Sequence, residues 1–319
     1  NKILIAGVGK LGSSYMQGLF PSTNKLDIHV MDISSNALSS AKKAWEELDT
    51  EGKSHLVTYH QSFETLPKSI EIVIVSTNAD VRVKIAEKIS QKSDVQFWIL
   101  EKILSQNLSG LDKLSSITNA SDGAWVNTTR RVLAWYHEIR QGIGVGKTLK
   151  LEMSGGFWGL ASNAIHYIDT LSWLTGEKLQ EIDVSGLDSV WLDSKRPGMK
   201  EVTGTLVATY SKNSTLLLTS TNAEPLPAII FIREDQNEMK WTINERDGIA
   251  ACSDGRTIEG RLEFQRQLTW KLVDSIFSKG QCGLATFKDS AEMHRIFIKA
   301  MLLHWKKHEK PWASILPIT

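Results

Sequence analysis

The chain has 319 residues and a formal net charge of +1. That length accommodates two domains with proper cores, and near-neutrality removes any electrostatic reason to expect nucleic acid or an acidic membrane surface. Cys252 and Cys282 are the only cysteines, which excludes a disulfide framework and offers no metal-site spacing, so no metal is expected. The sequence opens on a strand pattern instead of a basic apolar leader, and no apolar run is long enough to span a membrane; the expectation is a soluble, cytoplasmic protein.

A strand predicted over residues 3–6 runs into Gly7-Val8-Gly9-Lys10-Leu11-Gly12 and a helix over 11–19. This unit suits a dinucleotide. Gly7 permits the tight turn, Gly9 lets the backbone approach a pyrophosphate, and Gly12 lets helix and strand pack closely. Lys10 and Leu11 open the helix, whose N-terminal N–H groups and partial positive charge favour phosphate. A second strand is predicted over 27–31, with Asp32 at its carboxyl end, twenty residues beyond Gly12. That separation suits a carboxylate that accepts hydrogen bonds from an adenine-ribose diol and repels a 2′-phosphate, favouring NAD over NADP. The alternative for Asp32 is a cap on the helix that follows.

Further on, the pattern predicts a helix over 36–48, strands over 56–59 and 70–76, a helix over 80–91, a strand over 95–100, a helix over 108–118 and a strand over 124–127. Strands separated by helices of this length imply a parallel sheet covered on both faces. The second half reads differently: helices over 131–141 and 162–174, strands over 148–153, 182–187, 202–210, 216–221, 229–233 and 240–243, then helices over 262–278 and 287–307. The expected fold class is therefore α/β: a doubly wound Rossmann domain over 1–122, then an α+β domain over 123–319 with a largely antiparallel open sheet. The C-terminal helix is expected to pack back near the first domain. The alternating run 203–210 presents a face on which a homodimer or homotetramer could form.

In open parallel sheets, the reacting centre lies at the carboxyl ends of the strands. Ser76-Thr77-Asn78 and Glu101-Lys102 stand at two such ends. The bland alternative for Lys102 is a solvated surface charge. With the Gly7–Gly12 turn, Asp32, Gly155-Gly156 and Ile165-His166-Tyr167-Ile168-Asp169, these residues make the chain resemble the Gfo/Idh/MocA family (glucose–fructose oxidoreductase, inositol dehydrogenase) over nearly its whole length. The resemblance implies a hydride transfer between a nicotinamide cofactor and a sugar, amino sugar, nucleotide sugar or polyol, with some likeness to members of surface-polysaccharide pathways. Ser76, Thr77, Asn78, Glu101 and Lys102 would join the glycine turn in binding the cofactor. Lys102 would also be catalytic, together with His166. Three positions depart from the family motifs: Ile103 replaces the proline after the lysine, Ser162 replaces an aspartate four residues before His166, and Ala164 replaces the glycine between them.

Ser162, His166 and Asp169 share one helix face by their spacing. Asp169 is expected either to orient the imidazole or to form a salt bridge. Arg131 is a candidate substrate contact or the partner of a carboxylate across the domain boundary. Trp158 and Asn163 are candidates for a sugar face and a hydroxyl, with packing as the alternative for each. Two other outcomes stay open: elimination or epimerisation with no net redox change, and a non-catalytic sensor of NAD or sugar.

Overall fold

The computed structural model describes residues 1–49, 55–144, 146–223, 229–234 and 239–319. The chain divides into two compact units. The first comprises Asn1–Ser105, Ser109–Asn127 and Glu263–Lys288; the second comprises Gln106–Leu108, Thr128–Leu262 and Asp289–Thr319.

In the first unit, β1 (Lys2–Ala6), α1 (Lys10–Gln17), β2 (Asp27–Met31), α2 (Ser35–Glu46), β3 (Leu56–His60), β4 (Ser69–Val75), α3 (Ala79–Lys92), β5 (Asp94–Leu100), α4 (Leu108–Thr118) and β6 (Gly123–Val126) follow the predicted order. The six strands are parallel, in the order β6-β5-β4-β1-β2-β3. Ile3, Leu4 and Ile5 of β1 and Ile72, Val73, Ile74 and Val75 of β4 are fully buried. Central strands covered on both faces have no polar side to alternate with, so they read as unbroken apolar runs.

In the second unit, a 3-10 turn (Thr129–Val132) precedes α5 (Ala134–Ile143), β7 (Leu149–Gly155) and α6 (Leu160–Thr175). The strands that follow are β8 (Leu179–Asp183), β9 (Leu187–Asp193), β10 (Lys200–Tyr210), β11 (Thr215–Ser220), β12 (Ile229–Glu234), β13 (Lys240–Asn244), β14 (Ile249–Cys252) and β15 (Thr257–Glu259). The sheet runs β15-β14-β13-β12-β7-β11-β10-β8, with β9 also paired to β10. Among the described residues its one parallel pair is β7–β11. α6 is buried along most of its length and lies between two left-handed glycines, Gly159 and Gly176. It packs on β10, β11 and β7.

Three details depart from the predicted elements. The helix expected from 131 starts at Ala134, because residues 129–132 form a 3-10 turn and Leu133 is extended. The strand expected over 182–187 is two strands joined by a turn at Val184–Leu187. The hairpin of β14 and β15 was not anticipated; its strands are short, and Gly255 supplies a positive φ at the turn.

The chain then returns to the first unit with α7 (Gln265–Lys279) and β16 (Ala285–Thr286), which adds an antiparallel edge to β6. α7 docks on α1 so closely that a Cβ on Gly18 would lie 2.3 Å from the Gln265 carbonyl. Only α8 (Phe287–His308), apart from its first two residues, and the C-terminal segment continue the second unit. The chain thus re-enters the first unit after residue 262, whereas the sequence reading made a single division at 122/123. Among the described residues, no helix is long and apolar enough to cross a membrane.

Candidate active site

The glycine turn has three separate steric requirements. Gly7 holds φ +88°, and a Cβ there would press on Thr77 Cγ2 at 2.5 Å. Gly12 lies so close to the turn that a Cβ would fall 1.8 Å from the Gly7 carbonyl oxygen. Gly9 faces open space, and it precedes α1 with no side-chain cap on the helix. Only the absence of side chains allows this approach, which leaves the first-turn N–H groups of Lys10 and Leu11 accessible to an anion.

Asp32 locks the turn. Its Oδ2 accepts from Val8 N–H at 2.8 Å and its Oδ1 from Ser34 N–H at 2.9 Å. The cap on α2 itself is Ser34, whose Oγ accepts from Ala37 N–H. Ser76 Oγ–H donates to the Gly7 carbonyl at 2.6 Å, tying the β4 end to the turn. Gly7, Gly9, Asp32, Ser76, Thr77 and Asn78 line one cavity of about 330 Å³. Thr77 Oγ1 is buried beside it with no hydrogen-bond partner among the described residues. A glycine cradle, a bare helix start, a carboxylate at the β2 end and an unsatisfied hydroxyl together fit the pyrophosphate and ribose of a dinucleotide.

Glu101 and Lys102 leave β5 in the same unit. Glu101 is buried, and its Oε1 accepts from Tyr15 O–H at 2.5 Å and from Asn127 Nδ2 at 2.6 Å. Burial and the adjacent Glu101 charge push the Tyr15 phenol well above its ordinary range. Lys102 is half-buried, and the Lys102–Ile103 peptide is cis. Arg82 of α3, 1% exposed, donates to the carbonyls of both Ile103 and Thr77. Tyr15, Asn127 and Arg82 escaped the sequence reading, because only the fold brings them to the β4 and β5 ends.

The remaining candidates are in the second unit. Arg131 forks onto Asp169: Nε to Oδ2 at 2.8 Å and Nη2 to Oδ1 at 2.7 Å. The alternative for Arg131 placed its carboxylate across the domain boundary; this pair lies within the second unit and commits both Asp169 oxygens to the guanidinium. Arg130 forks likewise onto Glu245, which also accepts from Tyr136 O–H at 2.5 Å. Trp158 Nε1–H donates to the Thr219 carbonyl at 2.9 Å, and its ring meets Tyr167 edge-on. Asn163 Nδ2 donates to the carbonyls of Trp158 and Gly159, holding the turn before α6. Ser162 Oγ–H donates to Glu201 of β10, whose other oxygen accepts from Ala161 N–H at 2.8 Å. His166 follows one turn later, half-buried.

No protein-family model matches the sequence, and no curated protein matches it at a significant level. Solved structures do. The UDP-N-acetylglucosamine 3-dehydrogenase GnnA from Acidithiobacillus ferrooxidans superposes with a TM-score of 0.69 at 16% identity, covering 95% of this chain and 96% of that one. The myo-inositol dehydrogenase from Lactobacillus casei, in complex with NAD(H) and myo-inositol, gives 0.69 at 13% identity, covering 97% and 95%. The scyllo-inositol dehydrogenase from Lactobacillus casei gives 0.65 at 16% identity, covering 96% of each chain. From the glycine turn to the mostly antiparallel second sheet, the chain shares the fold of these dehydrogenases.

Proposed function

We propose that this protein is a nicotinamide-dependent dehydrogenase that oxidises a secondary alcohol of a carbohydrate, with NAD preferred over NADP. The observation that carries the reading is the Gly7–Gly12 cradle closed by Asp32, in one unit with Lys102 at the next strand ends. Gly7, Gly9, Lys10, Leu11 and Gly12 would hold the pyrophosphate, Asp32 the adenine ribose, and Ser76, Thr77, Asn78 and Glu101 the nicotinamide half. The bound coenzyme supplies the hydride acceptor. Lys102 and His166 are assigned the alcohol proton, the usual task of an amine or imidazole with tuned basicity. The Arg131–Asp169 pair, Ser162, Asn163 and Trp158 would shape the carbohydrate site. The carbohydrate class is supported by the neighbours, dehydrogenases named for a nucleotide sugar and for inositols.

The test has two stages. Thermal shift with NAD and NADP should show stabilisation by both and more by NAD, as specific binding favours the folded state. Reduced coenzyme is then followed with UDP-N-acetylglucosamine, related nucleotide sugars and inositols. Lys102→Ala and His166→Ala should each lower kcat by about 10²–10⁴ while NAD still binds. Absence of any coenzyme stabilisation, or near-normal turnover in both variants, sinks the proposal. Turnover with tightly held NAD and no accumulating NADH would instead mark elimination or epimerisation.

A further inference from the structure

Glu201 lies in β10, thirty-nine residues along the chain from Ser162, yet it serves the first turn of α6. It is 4% exposed. Its Oε2 accepts from Ala161 N–H at 2.8 Å and Ser162 N–H at 3.3 Å, and Ser162 Oγ–H donates to Oε1. α6 has no acidic residue in its own first turn and no side-chain cap from Gly159. The negative charge that a helix start favours is therefore delivered from the sheet. A cap needs only N–H donors; here the Ser162 hydroxyl is also bound to the same carboxylate.

The next turn presents His166, four residues on. Helical side chains lean toward the N-terminus, and residues four apart share a face with Cβ atoms about 5–6 Å apart. Several other charges near α6 are compensated or turned away, and Arg140 and His137 of α5 pack on the Trp173 ring, seven residues beyond His166. Arg131 is forked onto Asp169 and Arg130 onto Glu245, and Lys200 pairs with Asp193 at 2.7 Å. Lys150 and Glu152 of β7 alternate with the buried Leu149, Leu151 and Met153, and so point to the other face of the sheet. β11 carries no titratable group, and the Tyr210 hydroxyl of β10 donates to the Ile168 carbonyl.

We propose that Glu201, acting through Ser162, is the positioning carboxylate of His166: it favours the imidazolium that forms when the ring accepts the substrate's alcohol proton. The inference rests on the role proposed above for His166. Its test compares wild type with S162D/E201Q and S162N/E201Q, two isosteric variants that differ by one charge and retain side-chain oxygens able to cap α6. The imidazole of His166 is titrated by NMR, its resonance assigned by its loss in H166N. The midpoint in S162N/E201Q should fall by about half a pH unit relative to wild type and recover in S162D/E201Q. The acidic limb of kcat/KM should move to lower pH by the same amount. A purely structural cap would lower stability in both variants without this charge-dependent pattern. Equal His166 midpoints in wild type and S162N/E201Q overturn the inference, whatever the activity. Failure of the dehydrogenase reading is seen separately, as protein that binds no coenzyme and oxidises no alcohol while the midpoints still differ, an outcome that upholds the Glu201 link.

Discussion

Arg82 takes a permanent charge into the interior of the first unit and spreads it over two main-chain carbonyls, Thr77 at the β4 end and Ile103 beyond β5. A planar fork can serve both at once; an ammonium on a flexible stem cannot. Arg82→Met leaves those carbonyls without a buried donor and should cost about 2–3 kcal/mol in urea unfolding. Arg82→Lys should retain part of that stability but weaken coenzyme binding, because Thr77 and Ile103, the residue after Lys102, lose their common tie. Equal coenzyme affinity in R82K and wild type would show that the two strand ends hold themselves. The same division between bond-making and chemistry separates Glu101 from its neighbour: Glu101 is anchored by Tyr15 and Asn127, and Lys102 follows from that anchored residue.

Among the elements, α7 owes its place to a short set of contacts with the end of α1. Trp270 N–H donates to the Gly18 carbonyl, and Asp274 accepts from Ser22 Oγ, Asn24 Nδ2 and both the N–H and the hydroxyl of Thr23. Burial pushes the Asp274 carboxyl up, but these donors outweigh it and hold the group below its ordinary value. Its contribution is thus present above the unfolded carboxylate pKa of about 4 and is lost as pH falls through the lower folded value. Asp274→Asn should destabilise by about 1–3 kcal/mol near neutrality, and the gap from wild type should narrow below about pH 4. A gap independent of pH would assign the loss to packing. α6 follows another rule: two left-handed glycines bound it, while the carboxylate at its start comes from a strand the sequence could not associate with it.

For the whole molecule, the two units each bury a histidine whose charge is unwelcome. In the first, His60 Nδ1 lies 2.8 Å from Thr65 Oγ1 and its Nε2 lies 2.8 Å from His29 Nδ1. Burial and the neighbouring His29 lower its proton affinity, against a smaller opposing pull from Asp27. In the second, burial and then His308 lower that of His304, which meets the Trp191 indole N–H at 3.1 Å. A lowered folded pKa means that the unfolded chain takes the proton first. Stability from these groups is present above about pH 6.5 and declines as pH drops below it. The urea midpoint should fall between about pH 6.5 and 5, and His60→Gln with His304→Gln should flatten that slope. An unchanged slope in the double variant would trace the effect to other groups.

What the sequence determined by itself was local. The strand–turn–helix at the start, the register of Asp32 and the alternation of strands with helices depend on residues within a few turns of one another, where backbone sterics and apolar periodicity decide the outcome. The same holds for the helix that carries Ser162, His166 and Asp169 on one face. Contacts between distant stretches were decided only by tertiary structure: Asp169 taken up by Arg131, Ser162 joined to Glu201, Arg82 spanning two strand ends, and the return of α7 to the first unit after residue 262. A side chain's partner across forty or two hundred residues is selected by how apolar faces pack. The periodicity of a segment states which face is buried, but not against what.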